Sequence, residues 1–442
     1  MAAPGGDPID DCVHCGFCLP HCPTYRSWGQ EMDSPRGRIH LMRGLRDGEL
    51  RLTPIVARHF DRCLGCMACV PACPSGVRYD TLIERTRVEV ERRIRRPAGD
   101  RLHRALLFAL LPHPRRLKAV ALLLWLYVRS GLQRLVRGSG VLGRLPARLA
   151  QLEALMPDVD LRALGSSLPA HTPARAPGSV RARVGLVAGC VQRVFFPRVN
   201  EATIRVLSAE GCDVHVPRGQ GCCGALSLHA GRAHEAKAFA RSLIDRFERE
   251  RVDVVVATAA GCGAHLKGYG TLFAGEPSSA PWAARAATFA AKVRDVSELL
   301  ADLGPVAARQ PIVARAAYHD ACHLAHAQGV RRQPRELLRG IPGLELLEIP
   351  EPEQCCGSAG TYNLTEPEAA DEIGERKVTN LLATRPEILV AANPGCLLQI
   401  RKLLRGRGID LPAAHPIELV DASIRGLGAY PPGRGGMRPG NT

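Results

Sequence analysis

Two hydrophobic rhythms run along the chain. From Arg181 onward, short β-branched or aliphatic runs recur: VGLVAG at 184–189, VDVVVATAA at 252–260, PIVARAAYH at 311–319 and ILVAANP at 388–394. Stretches with apolar residues at helical spacing separate them, and this alternation predicts parallel α/β layers. Pro197 predicts a helix opening that runs to Ala209, Ala233–Arg249 reads as a long helix, and Glu372–Ala383 and Leu397–Leu404 read as shorter ones.

The first part of the chain follows the other rhythm. Residues 36–60 and 78–96 set long charged side chains between apolar ones, as helices around a small module do, and Pro35, Pro54 and Pro74 mark turns or helix starts. Arg104 to Leu135 predicts two helices broken near Pro112 and Pro114, with Trp125 and Tyr127 at the apolar end of the second. Gly, Pro and Ser then make residues 138–180 a loose connection with one helix, Ala147–Leu155.

Composition narrows the class. With 442 residues, 46% hydrophobic and 23% charged, the chain is neither a stapled mini-protein nor globally disordered. The formal charge of +16 is mostly local, because residues 84–148 carry +12. That block supports three readings: an internal helical hairpin with a solvated basic face, a helix lying on an anionic membrane surface, or a contact with a partner subunit. Its longest apolar run, Ala119–Val128, has ten residues, half the ~20 needed to span a bilayer. Met1–Asp11 shows no leader pattern, so the expected location is the cytoplasm. No nucleotide-phosphate loop follows the first strand, and no nucleic-acid recognition motif accompanies the basic block, so no nucleic-acid partner is expected.

The seventeen cysteines carry the chemistry. They are too dilute for a disulfide scaffold and odd in number, which favours reduced thiolates serving metal. Cys12, Cys15, Cys18 and Cys22 followed by Pro23 have the spacing C-x2-C-x2-C-x3-C-P, and Cys63, Cys66, Cys69 and Cys73 followed by Pro74 repeat it. Three close thiolates hold three irons of a cubane, and the fourth is directed to the neighbouring cluster. One [4Fe-4S] cluster therefore takes Cys12, Cys15, Cys18 and Cys73, and the other takes Cys63, Cys66, Cys69 and Cys22. Zinc gives no reason for the third cysteine and trailing C-P in both copies. Gly16 and Gly65 suit tight passage of the backbone around a cluster.

A second set of eight is an internal duplication. Cys190, Cys222, Cys223 and Cys262 are spaced 32, 1 and 39 residues apart; Cys322, Cys355, Cys356 and Cys396 are spaced 33, 1 and 40 apart. Adjacent thiolates in a Gly-rich turn suit different irons of an opened cluster, while zinc and buried or redox-active thiol pairs remain alternatives. His319, Asp320 and His323 beside Cys322 are candidates for hydrogen bonding, tuning a potential or handling a proton. Cys212 stands outside the scheme as a small buried hydrophobe.

These residues resemble the iron-sulfur subunit of glycolate oxidase, also called glycolate dehydrogenase, from DCVHCGFCLPHCPTY through SPRGRI and DRCLGCMACVPACPSGVRY to QGCCGALSLHAG, YHDACHLAHAQGVR, QCCGSAGTYN and NPGC. The resemblance implies a multidomain α+β and α/β chain: a two-cluster ferredoxin-type helical module at 1–96, a basic helical region and linker at 97–180, and two duplicated α/β CCG domains at 181–308 and 309–442. It also implies that this chain holds no catalytic residues. A separate FAD-bearing subunit would oxidise glycolate to glyoxylate with help from a second flavoprotein-like subunit, and this chain would relay electrons toward a quinone or other acceptor, in the cytoplasm or peripherally on the inner membrane. CCG domains also occur in D-lactate and other 2-hydroxy-acid dehydrogenases and in heterodisulfide reductases, which are the alternative functions. The fuller family pattern ends each CCG domain in C-x-x-C. Here those positions read Cys262-Gly-Ala-His265 and Cys396-Leu-Leu-Gln399, so His265 is a candidate substitute ligand and Gln399 a poor one.

Overall fold

Proline opens the first three helices of the chain, Pro23–Trp28, Pro35–Arg46 and Pro54–Asp61, where its missing N–H costs nothing. Ser34 and Thr53 cap the latter two by accepting from the amides of Gly37 (3.0 Å) and Val56 (3.3 Å). With the helix Tyr79–Arg93 they enclose a small core in which Ile39, Phe60, Leu82 and Ile83 pack beside Cys63 and Cys69. A buried charge cluster pins the helices to one another. The Asp33 carboxylate accepts from Arg38 (3.4 Å) and Arg62 (3.1 Å) and lies 3.0 Å from His59 Nδ1, with Asp33 and Arg38 both fully buried.

The computed structural model describes residues 7–430 apart from 145, 160–164, 166, 177 and 275–279. The chain ends 1–6 and 431–442, which the sequence reading assigned to the first and last domains, lie outside the described residues, as do parts of the 138–180 connection.

The basic region forms Ala98–Leu110, Pro114–Arg129 and Leu132–Gly138. The break at Pro112–Pro114 is as expected. A second break at Gly131, which is left-handed (φ +80°), makes three helices where two were expected. The region is strapped to the rest of the protein: Arg104 bonds Glu91 (2.9 Å) and the Ala230 carbonyl (3.0 Å), and Leu117 and Ala121 pack on Val194.

Two parallel sheets follow. The first contains β1 (His171–Thr172), β2 (Ala182–Val187), β3 (Cys212–His215), β4 (Val254–Ala257) and β5 (Val293–Asp295) in the order β1-β3-β2-β4-β5, with only β1 antiparallel. The second contains β6 (Ala314–His319), β7 (Leu344–Glu348), β8 (Ile388–Ala391) and β9 (Ala413–Ala414) in the order β7-β6-β8-β9. Matching β2–β5 to β6–β9 gives one order for both, so the cysteine duplication is a duplication of fold. The two units exchange helices. Val296–Leu303, after β5, packs on Arg332–Arg339 of the second unit, and Pro416–Ile424, after β9, packs on Pro197–Ala209 of the first. One core runs through both, including Leu186, Leu207, Tyr318, Val390 and Ile417. The bidentate pair Arg205–Asp421 (2.9 and 2.8 Å) joins them at its edge.

Candidate functional site

Each C-x2-C-x2-C loop turns through two left-handed residues. In the first loop these are His14 (φ 55°) and Gly16 (φ 90°); in the second they are Gly65 (φ 64°) and Met67 (φ 62°). The positions correspond, yet glycine fills the earlier one in one loop and the later one in the other. Holding His14 and Met67 there costs on the order of 1 kcal/mol each, a strain that a tightly wrapped loop imposes. The sequence reading found only the glycine half of this pattern.

The loops bring the eight thiols into two groups. Cys12, Cys15, Cys18 and Cys73 line a pocket, partly open to solvent and walled by Ile39, Val77 and Tyr79, which Cys69 of the second motif also reaches. Cys15 is exposed, and Val13 and Phe17 beside it are 68% and 65% exposed. Cys22 lies near Cys63, Cys66 and Cys69, all four buried, and the two groups adjoin where Cys18 comes near Cys22 and Cys69.

Electrostatics distinguish members of the groups. Burial pushes the Cys18 thiol up to about 11 and holds Cys66 and Cys69 well above the ordinary thiol range. Burial acts the same way on Cys63, but the guanidiniums of Arg38 and Arg87, the Tyr79 hydroxyl (3.5 Å) and the Gly65 amide (3.4 Å) outweigh it and pull this thiol down. Buried thiols with raised pKa values become ligands when a cation displaces their protons, so the donor set fits metal or an iron-sulfur cluster.

In the first CCG unit Cys190 Sγ lies 3.5 Å from Cys222 Sγ, and Cys223 Sγ lies 3.2 Å from Cys262 Sγ. In the second, Cys322 contacts Cys355 and Cys356 contacts Cys396. The hydrogen bond with the neighbouring thiol, then burial, holds Cys190 and Cys322 well above the ordinary range. The glycine of each CCG triplet has a backbone reason. Gly224 (φ 95°) and Gly357 (φ 86°) are left-handed, and a Cβ there would sit 2.9 Å from the Ala236 carbonyl oxygen or 2.1 Å from that of Ala370. The following helix thus presses the paired cysteines into place.

His265 Nε2 lies beside the first CCG turn, 3.3 Å from where a Cβ on Gly224 would sit, and is buried without a hydrogen-bond partner, but among the described residues it joins no close group of three with the thiols. Its ring meets Tyr269 edge-on, and it lies toward Glu84, His229 and His323, with burial pushing it down to about 4. Gln399 serves packing: it accepts from Asn363 (3.0 Å) and donates to Asp371 (3.1 Å). The imidazole brought to the thiols is His319, whose ring nitrogens and the Cys356 and Cys396 Sγ atoms include a set all within 4.8 Å of one another. From sequence, His319 beside Cys322 is a candidate for hydrogen bonding, tuning a potential or handling a proton, but not for ligation. Its position at the end of β6, three residues before that cysteine, was the available signal.

The second CCG unit also touches the ferredoxin-type module. Leu64, Cys66 and Ala68 share a buried cluster with Cys355 and Tyr362, and Cys322 packs against it. Through this cluster the buried ferredoxin group and the second CCG set are neighbours.

Comparison with known proteins follows the same divisions. A 4Fe-4S dicluster domain matches residues 8–77, a glycolate oxidase iron-sulfur subunit linker region matches 99–156, and a cysteine-rich domain matches twice, at 184–267 and 316–401. The chain is 40% identical over 418 residues to the probable glycolate oxidase iron-sulfur subunit of Bacillus subtilis (strain 168), covering 93% of each chain. It is 34% identical over 423 residues to the glycolate oxidase iron-sulfur subunit of Escherichia coli (strain K12), again covering 93% of each. Likeness to lactate utilization protein A of Oceanobacillus iheyensis, at 31% identity, spans 55% of this chain and 98% of that one.

Proposed function

The chain belongs to the family of glycolate oxidase iron-sulfur subunits, and on that premise we propose that it is the electron-transfer subunit of a complex oxidising glycolate to glyoxylate, with the FAD in a partner subunit. The observation that carries this is the buried contact of Cys66 with Cys355 and Cys322, beside a pocket lined by Cys12, Cys15, Cys18, Cys69 and Cys73. Iron-sulfur clusters bound by these residues supply one-electron carriers between a reduced flavin and an acceptor.

Cys12, Cys15, Cys18 and Cys73 hold one [4Fe-4S] cluster, and Cys63, Cys66, Cys69 and Cys22 hold the other. Cys73 beside Cys12, Cys15 and Cys18, and Cys22 near Cys66 and Cys69, support this crossed pairing. Arg38 and Arg87 keep positive charge beside the buried group, favouring an added electron there. Burial of Cys66 and Cys355, which share one apolar cluster, keeps water from between them. The exposed Val13 and Phe17 give the flavin-bearing partner an apolar landing point beside Cys15. A second flavoprotein-like subunit and a quinone acceptor complete this reading.

The chain works in the cytoplasm, with the helices Pro114–Arg129 and Leu132–Gly138 against the inner membrane. Leu122, Leu123, Leu126 and Leu135 are exposed on them amid the basic block, a combination that suits an anionic surface. No single helix among the described residues is long and apolar enough to cross a bilayer, and these two are bent by 70° from one another.

Full-length likeness to glycolate oxidase subunits, against partial likeness to a lactate utilization protein, favours glycolate as the donor acid. The test is anaerobic reduction of the purified complex followed by EPR: glycolate should reduce the clusters. Reduction by D-lactate alone would assign the complex to the other acid.

A further inference from the structure

The duplication is not symmetric at its thiols. Cys190 and Cys322 each follow the first strand of their unit by a short turn, and the residue three positions earlier ends that strand. In the first unit this residue is Val187, packed in an apolar core with Cys190, Cys222 and Cys223. In the second it is His319. A polar ring has thus been placed where the fold accepts valine, and it is 1% exposed.

Neither ring nitrogen of His319 has a hydrogen-bond partner. A buried imidazole whose nitrogens have no partner is destabilising unless a metal or another polar group engages it. The nearest polar lysine does not do so, because Lys377 Nζ donates to the Glu351 (2.8 Å) and Pro352 (3.4 Å) carbonyls. What the ring does meet is sulfur: a His319 nitrogen, Cys356 Sγ and Cys396 Sγ all fall within 4.8 Å of one another, each residue buried. The position three residues after the last cysteine is Gln399, already committed to Asn363 and Asp371.

We propose that His319 is an imidazole ligand of the iron-sulfur centre in the second CCG unit, joining Cys322, Cys355, Cys356 and Cys396; the equivalent position of the first unit is Val187. This rests on the reading that the second unit holds such a centre. A neutral nitrogen donor where a thiolate would add negative charge raises a cluster's reduction potential. The second CCG centre is therefore an electron sink beside the buried ferredoxin-type group, whereas the first unit has valine at the equivalent position.

The test uses the anaerobically purified complex with 15N-labelled histidine, iron and sulfide analysis, and pulsed EPR across a redox titration. The expected result is more iron than two [4Fe-4S] clusters contain, together with a strong nitrogen coupling that changes with the label. That coupling disappears in His319→Gln, persists in His265→Gln, and in His319→Cys gives way to a centre of lower potential with its iron retained. Extra iron with no histidine coupling at any potential, or a coupling that survives His319→Gln, overturns the ligand assignment while leaving the centre itself in place. Iron for two clusters only overturns the occupancy reading and the inference with it. If His319→Gln does not fold, the labelled unsubstituted protein and His319→Cys decide.

Discussion

His323 Nε2 donates to the Gly65 carbonyl at 2.8 Å, tying the Cys63–Cys66–Cys69 loop to the residue that follows Cys322. Gly65 is one of the left-handed turn residues of that loop. One hydrogen bond therefore fixes the loop of the buried ferredoxin group against the first cysteine of the second CCG set. His323→Ala leaves the buried Gly65 oxygen without this partner, at a cost of about 1–3 kcal/mol. It should lower thermal stability and slow reoxidation of the ferredoxin-type clusters while their iron content stays unchanged. Rapid-freeze EPR after glycolate addition checks this, and unaltered kinetics would refute the role.

The two ligand groups make a prediction that sequence order would not. Cys73→Ser should perturb the same EPR signal as Cys15→Ser, although Cys73 belongs to the other motif. Cys22→Ser should likewise match Cys66→Ser. If Cys22→Ser instead gives the spectrum of Cys15→Ser, each motif holds its own cluster and the crossed assignment fails.

Repetition made the cysteine groups legible, because two intact motifs and two nearly equal sets of intervals do not arise from packing alone. The strands found from sequence were β2, β4, β6 and β8, whose apolar runs are buried on central positions of their sheets. Those that escaped, β1, β3, β5, β7 and β9, are two to five residues long; the first four carry polar side chains, and β9 is two alanines. Long-range relations were also hidden: no local signal brings Cys66 to Cys355, or His319 to Cys356 and Cys396.

The exposed leucines of Pro114–Arg129 bear on location. Leu122, Leu123 and Leu126 are 45%, 64% and 49% exposed, whereas Leu117 and Ala121 on the same helix are buried. Replacing the three exposed leucines by serine should spare folding and iron content yet reduce sedimentation with anionic vesicles several-fold, at roughly 1 kcal/mol or more per leucine withdrawn from lipid. Equal sedimentation of both proteins would assign this face to a protein partner or to solvent.

Stability should depend on pH through the helix that joins the two CCG units. Burial raises Glu418 from 4.5 to about 7, against the opposing hydrogen bonds from the His415 amide (2.8 Å) and Tyr430, with Arg198 and Asp421 also facing it. The folded state thus holds this proton more tightly than the unfolded chain. Its contribution is full below pH 4.5 and is lost as pH rises through about 7, amounting to at most about 3 kcal/mol. Glu418→Gln keeps an acceptor for the His415 amide and should flatten the thermal-stability profile across that window. A profile unchanged by the substitution would place the titration elsewhere.

Arg87 sets the last prediction. Its guanidinium donates to the carbonyls of Cys63 and Phe60, and it has no carboxylate partner among the described residues. Arg38, the other cation beside Cys63, is bonded to the Asp33 carboxylate, and Arg36 beside the exposed group is bonded to Glu31 at 2.7 Å. Arg87 is therefore the less compensated positive charge, and it acts on the buried group. A full charge at that range in a partly screened interior shifts a one-electron potential by on the order of tens of millivolts. Arg87→Met should lower the potential of the cluster bound by Cys22, Cys63, Cys66 and Cys69 and leave the other nearly unmoved, while Arg87→Lys retains most of the original value. Redox titration followed by EPR resolves the two signals. Equal displacement of both would mean that the substitution acts through the fold of the module rather than through its charge.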